Sequence, residues 1–112
     1  MDVSKISFSS NAVLEEPFSW VYKLEDIGFT GWEMVQEGTQ CLTEESIPKV
    51  REVLETTNLV LTMHLPFSDM NMAGLNSGIH GEVLRQMKNY ISLASGLVEV
   101  AVVHPGYLSP YG

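Results

Sequence analysis

Four short runs with strand-like apolar patterning alternate with three segments of helical spacing, and this alternation constrains the fold more than any other feature of the chain. Residues 6–10 read as a first strand. Residues 18–27 carry an apolar stripe of Phe18, Val21, Tyr22, Leu24 and Ile27; Pro17 suits the first turn of that helix and Gly28 its C-terminal stop. Residues 32–35 form a second strand. Ser46 as N-cap and Pro48 in the first turn open a second helix whose buried stripe is Ile47, Val50, Val53 and Leu54. Residues 59–64 are a continuous apolar strand ending in His64. A third helix over 82–94 presents Val83, Met87, Tyr90, Ile91 and Ala94 on one face, with Gly96 closing it. Residues 98–104 form a fourth apolar strand ending in His104. The order is βαβαβαβ, which implies parallel strands joined by crossover helices.

Each strand-plus-helix unit takes roughly 30 residues, the spacing of a (β/α)8 barrel, and a complete barrel needs about 250. The 112-residue chain supplies four strands and three helices, so the expected fold is α/β, one domain over residues 1–112 forming the N-terminal half of such a barrel. A flavodoxin-like open sheet is the alternative, but it usually brings a fifth strand. A half barrel has two open strand edges and an uncovered inner face. Either a C-terminal half or a second copy of the chain should cover them, and a homo-oligomer is the expectation if no further half exists. The 18% content of charged residues is low enough to suit a partly covered surface.

Asp and Glu number 14 against 6 Lys and Arg, a net charge of -8. That charge repels nucleic acid and anionic membrane at long range. Cys41 is the sole cysteine, so no internal disulfide can form, and no basic neighbour in sequence activates it. No signal-peptide pattern opens the chain and no run approaches a membrane span, which reads as a cytoplasmic protein.

In parallel α/β folds, sites gather at the C-terminal ends of strands. His64 and His104 stand there on neighbouring strands. Alternation puts Val60, Thr62 and His64 on one face, and Val98, Val100, Val102 and His104 on one face. If both sets point inward, two imidazoles converge at the barrel mouth, and neutral imidazole is a common transition-metal ligand. The competing reading is that each histidine caps its strand. Glu33 lies inside the second strand, where a carboxylate is costly unless paired or functional. It is the candidate catalytic residue, as an acid/base, a ligand or a histidine partner, with an outward, structurally bonded glutamate as the alternative. Glu37 and Asp69 lie in loops at the same end. His80, near the start of the third helix, reads as an exposed cap residue. Trp20, Tyr22 and Trp32 read as packing residues, and Met70 and Met72 as a mobile loop over the mouth. No phosphate-binding glycine loop, serine nucleophile elbow or paired-cysteine zinc motif is present.

Three stretches carry a resemblance: Gly28-Phe29-Thr30-Gly31-Trp32-Glu33, His64-Leu65-Pro66-Phe67-Ser68-Asp69-Met70-Asn71 and Val103-His104-Pro105-Gly106. Together they resemble the N-terminal half of the xylose isomerase-like barrels, a superfamily of sugar-phosphate isomerases and epimerases that also includes endonuclease IV. His-Pro-Gly is the most specific of the three. The resemblance implies that His64 and His104 match two zinc-binding histidines of the endonuclease IV relatives. It also implies that the remaining ligands and most acid/base residues come from later strands.

Three functions follow as expectations. The first is a piece of an isomerase or epimerase that uses a divalent metal, zinc or manganese, on a small sugar or sugar phosphate. Its metal site is incomplete in this chain, which is then inactive alone. The second is half of a zinc phosphodiesterase acting on abasic DNA, which the acidic charge disfavours. The third is a non-catalytic half-barrel scaffold.

Overall fold

A computed structural model describes residues 5–10 and 18–108. Pro17 and residues 1–4 and 109–112, on which part of the sequence reading rests, lie outside the described residues. Strand β1 (Ser7–Ser10) leads to a 3-10 turn (Ser19–Tyr22) that runs into helix α1 (Lys23–Ile27). Strand β2 (Gly31–Val35), helix α2 (Ile47–Thr56), strand β3 (Val60–His64), helix α3 (Ser77–Leu93) and strand β4 (Ala101–Val102) follow. All strand pairs are parallel, in the sheet order β1-β2-β3-β4. Sequential order separates this architecture from the flavodoxin-like alternative, in which β1 lies between β2 and β3.

The sheet buries one face. Trp32 and Met34 of β2, with Leu61 and Met63 of β3 and Leu65 just beyond it, join Val21, Leu24, Val50, Val53, Val83 and Met87 from the helical layer in one core. Trp32 sits edge-on to Phe18 and Trp20. On β3 the alternation is sharp: Leu61 is 4% exposed and its neighbour Val60 is 66% exposed. The side on which Val60, Thr62 and His64 lie is the inner side of a barrel wall. Among the described residues the helical layer covers the Leu61 and Met63 face of β3, whereas both residues of β4 are exposed.

Several elements start or stop away from their expected places, each for a local reason. Three residues per turn in the 3-10 segment line up Phe18, Val21 and Leu24, leaving Tyr22 and Ile27 exposed at 41% and 70%. Ser46 makes no side-chain cap. Instead the Thr43 N–H donates to Ser46 Oγ at 2.9 Å and the Ser46 N–H donates to Thr43 Oγ1 at 3.1 Å. This is a reciprocal box that starts the chain's turn three residues earlier. Helix α3 begins at Ser77 rather than residue 82, because Asn76 Oδ1 accepts from the Ile79 N–H and caps it; Gly78 and Gly81 hide that start from a propensity reading. Strand β4 is two residues rather than seven, since its ladder to β3 holds only Met63↔Ala101 and His64↔Val102. Among the described residues, no helix is long and apolar enough to cross a membrane.

Gly31 marks the tightest strand contact. A Cβ built there would lie 2.1 Å from Ser7 Oγ, 3.1 Å from Ser7 Cβ and 3.2 Å from the Val60 carbonyl oxygen. The hydroxyl can rotate away, but backbone on the other side cannot. Gly31→Ala should therefore destabilise the chain by about 1–3 kcal/mol through overpacking, read as a lower urea midpoint. An unchanged midpoint would show that β1 and β2 separate freely.

Candidate metal centre

His64 closes β3, paired with Val35 on one side and Val102 on the other. Two residues beyond β4, His104 keeps the parity of Val102. Pro105 helps hold it extended, because a residue before proline is steered away from helical backbone. The result is the convergence expected from alternation. The two Nε2 atoms lie 3.2 Å apart, and the ring centroids are 4.9 Å apart. Phe67 stacks on His104 at 4.9 Å and meets His64 edge-on at 5.1 Å.

The protonation pattern of His64 follows from one bond. Its Nδ1 lies 2.7 Å from the Leu65 carbonyl oxygen. A carbonyl only accepts, so Nδ1 carries the hydrogen, and Nε2 of the neutral ring is left to accept from the His104 Nε2–H. Metal-bound histidines are commonly oriented in this way through their other nitrogen. The spacing also fits a shared ion. Two nitrogens each about 2.05 Å from one zinc ion would be 3.2 Å apart at an N–metal–N angle of roughly 100°. Among the described residues, no cluster of three or more His, Cys, Asp or Glu side chains completes such a site.

The loops around the pair are closely tied. Glu37, after β2, accepts hydrogen bonds from the Phe67 N–H at 2.9 Å and the Ser68 N–H at 2.8 Å. Burial works against its charge, but those two N–H groups outweigh it, helped by the Ser68 hydroxyl and by His64, and hold its carboxyl below the usual range. Asn71 reaches from the loop after β3 to the backbone of Tyr107 in the loop after β4. Gly106, with φ +95°, makes that approach possible: a Cβ there would lie 2.5 Å from Asn71 Oδ1 and 2.6 Å from the Ala73 nitrogen. This close contact is the physical content of glycine in His-Pro-Gly. Beside the pair is a cavity of about 440 Å³ lined by Phe67, Asp69, Met70, His104, Gly106 and Tyr107, among others. Asp69 adopts a left-handed backbone with φ 59°.

Glu33 lies on the same face of β2 as Gly31 and Val35, paired with Thr62. That is one inward position deeper than His64, roughly 7 Å along the strand. Its Oε1 accepts a hydrogen bond from the Ser9 hydroxyl at 2.7 Å, so it turns towards β1. His80 is not a free cap residue. It is part-buried within α3, and its Nε2–H donates to the Met72 carbonyl at 3.0 Å. Met70 and Met72, expected in a loop over the mouth, are partly buried against the core, and Met70 also lines the cavity beside His104. Cys41 is half-buried and hydrogen-bonded to Tyr90; burial first, then Cys41, pushes the Tyr90 hydroxyl up to about 12. Residue type and strand position single out the histidines from the sequence. Phe67 and Asn71 stand in the His64–Asn71 stretch without such a signal, because their effect depends on loop contacts that spacing does not reveal.

Comparison with known proteins places these features. Residues 21–112 match the family model described as a xylose isomerase-like TIM barrel. An uncharacterized protein of Methanocaldococcus jannaschii is 34% identical over 106 residues, which is 93% of this chain and 36% of that protein. The crystal structure of a D-tagatose 3-epimerase-like protein superposes with a TM-score of 0.83 at 32% identity, over 96% of this chain and 40% of the other. The chain thus spans less than half the length of either relative.

The Glu37 bonds carry a pH signature. Its carboxyl is held below its ordinary value of 4.5 when folded, so its contribution to stability is present above that value and is lost as pH falls through the lower, folded one. Glu37→Gln should cost about 1 kcal/mol at neutral pH, a small amount for a charged acceptor because the carboxylate is partly solvated. The gap in urea midpoint between variant and wild type should close in acid. A gap of equal size at both pH values would show that the charge contributes nothing.

Proposed function

This chain belongs to the xylose isomerase-like TIM-barrel family, and from that premise we propose that it forms the first part of the active site of a divalent-metal-dependent isomerase or epimerase acting on a small sugar or sugar phosphate. The observation that carries this reading is the pair of Nε2 atoms 3.2 Å apart, with the His64 tautomer set by the Leu65 carbonyl. His64 and His104 would hold zinc or manganese. When bound, such an ion supplies Lewis acidity that polarises a substrate carbonyl or hydroxyl. A catalytic zinc site usually takes three protein ligands and keeps one open position. The further ligands therefore belong to additional strand ends of a completed barrel, from a longer chain or a second copy. Two histidines alone bind metal weakly and leave the chain inactive by itself.

Glu33 is the residue we assign to proton transfer. Ser9 fixes its Oε1, which leaves Oε2 to take a proton from a hydroxyl-bearing carbon and return it. A sugar chain lying along the inner face can reach both the histidine pair and a carboxylate one position deeper. Phe67 and Tyr107 offer flat apolar surfaces at the cavity beside the pair, and Asp69 is the only acidic or basic side chain, other than His104, among the residues that line it.

The histidine pair also supports a second reading, a zinc phosphodiesterase acting on abasic DNA. The net charge of -8 disfavours it, since duplex binding rests on neutralised phosphates. Salt-sensitive binding of duplex DNA would move the balance towards it.

Purified chain titrated with zinc or manganese should bind one equivalent, and His64→Ala should weaken binding about tenfold or more. Equal affinity in the two proteins would remove the metal from this site. In the completed, active assembly, Glu33→Gln should slow solvent-deuterium exchange into a ketose substrate by about 10²-fold or more while leaving metal affinity unchanged. A variant with full exchange activity would return Glu33 to a purely structural role.

A further inference from the structure

The backbone ladder does not reach far enough to place His104. Pairing between β3 and β4 ends at His64↔Val102, and the last hydrogen bond beyond it runs from the Leu65 N–H to the Val102 carbonyl at 2.9 Å. His104 lies past that point, two residues beyond the edge strand β4, in a segment whose residues Ala101 to His104 are all exposed. Edge segments of this kind shift readily, because little else fixes their backbone. Yet the two imidazoles meet at 3.2 Å.

What spans the gap is a single amide side chain. Asn71 Nδ2 donates to the Tyr107 carbonyl at 3.0 Å, and Asn71 Oδ1 accepts from the Tyr107 N–H at 3.0 Å. The same Oδ1 accepts from the Ala73 N–H at 3.0 Å, which fixes the amide within its own loop. This mimics a pair of strand ladder bonds, made by a side chain where the ladder has stopped. Gly106 lets the two loops touch, and Phe67 from the same loop stacks on the His104 ring. The segment carrying His104 is thus held between the β4 ladder and the Asn71–Tyr107 clamp.

We propose that Asn71 is a positioning residue for the His64–His104 pair: by clasping the Tyr107 backbone it sets the separation of the two Nε2 atoms, and so the affinity of the pair for a divalent cation. The inference rests on the metal reading above for its function, and on the hydrogen bonds for its geometry. A side chain with only a local role would tie its own turn through Ala73 and leave the histidines where they are.

The test uses the whole 112-residue chain with Asn71→Ala and Asn71→Asp. The aspartate keeps an acceptor for both N–H groups but turns an oxygen towards the Tyr107 carbonyl. Two readouts are taken: the NMR cross-relaxation between the His64 and His104 ring protons without metal, and Zn2+ affinity against a chromophoric chelator. In Asn71→Ala the inter-ring signal should vanish and Zn2+ should bind about tenfold or more weakly, the scale of loss seen for groups that orient ligands. The far-UV circular dichroism and the His64 Nδ1–H signal should persist. Asn71→Asp should fall between, and it carries the test if the alanine variant does not fold. A folded variant that keeps both the inter-ring signal and the affinity overturns the proposal. A wild-type chain that binds no Zn2+, but loses its inter-ring signal in the variants, upholds the positioning and sinks the metal reading instead.

Discussion

Parallel pairing in the order β1-β2-β3-β4 is the constraint from which the site follows. It aligns the C-terminal ends of all strands on one side, and it makes residues at matching parity share a face. Because helices cover the Trp32, Met34, Leu61, Met63 face, Glu33, Thr62 and His64 must lie on the other. The imidazole pair, the Glu33–Ser9 bond and the exposed Val60 are consequences of that one-sided burial. A slip of one residue between β3 and its neighbours would move Leu61 and Met63 out of the core and His64 into it. Core packing therefore enforces the orientation of the imidazole pair.

Much of this was readable from residue patterns. The continuous apolar run to His64 located β3, and alternation brings His64 and His104 to one mouth on the condition, met in the structure, that both strand sets face inward. Helix α2 was legible through Val50 and Val53. The short β4 was not, since Val98 to Val103 look like strand residues whether or not a neighbour pairs with them. The start of α3 was hidden by Gly78 and Gly81, whose weak propensity is overridden by the Asn76 cap. The part-buried place of His80 was hidden for a related reason: it depends on the bond to the Met72 carbonyl, which pairs residues from different elements.

The same division holds within the site. Residue type and strand position suffice to nominate the histidines, because their chemistry is carried by the ring itself. Asn71 and Glu37 act through backbone groups of distant loops, and Phe67 acts through stacking. Those roles exist only once the chain has closed on itself. Glu33 is an intermediate case: a carboxylate within a strand announces that something must satisfy it, but the sequence does not say that the partner is the Ser9 hydroxyl.

The bond from His64 Nδ1 to the carbonyl of the very next residue has a further consequence. Many ligand histidines borrow their orienting partner from elsewhere in a protein, so that their ring state is hostage to remote mutations. Here donor and acceptor are adjacent links of the chain. Once β3 and the residue after it are set, the Nδ1 hydrogen is held without help from a distant residue. An imidazole built this way is portable, and the remainder of a barrel can diversify its chemistry without having to re-tune it.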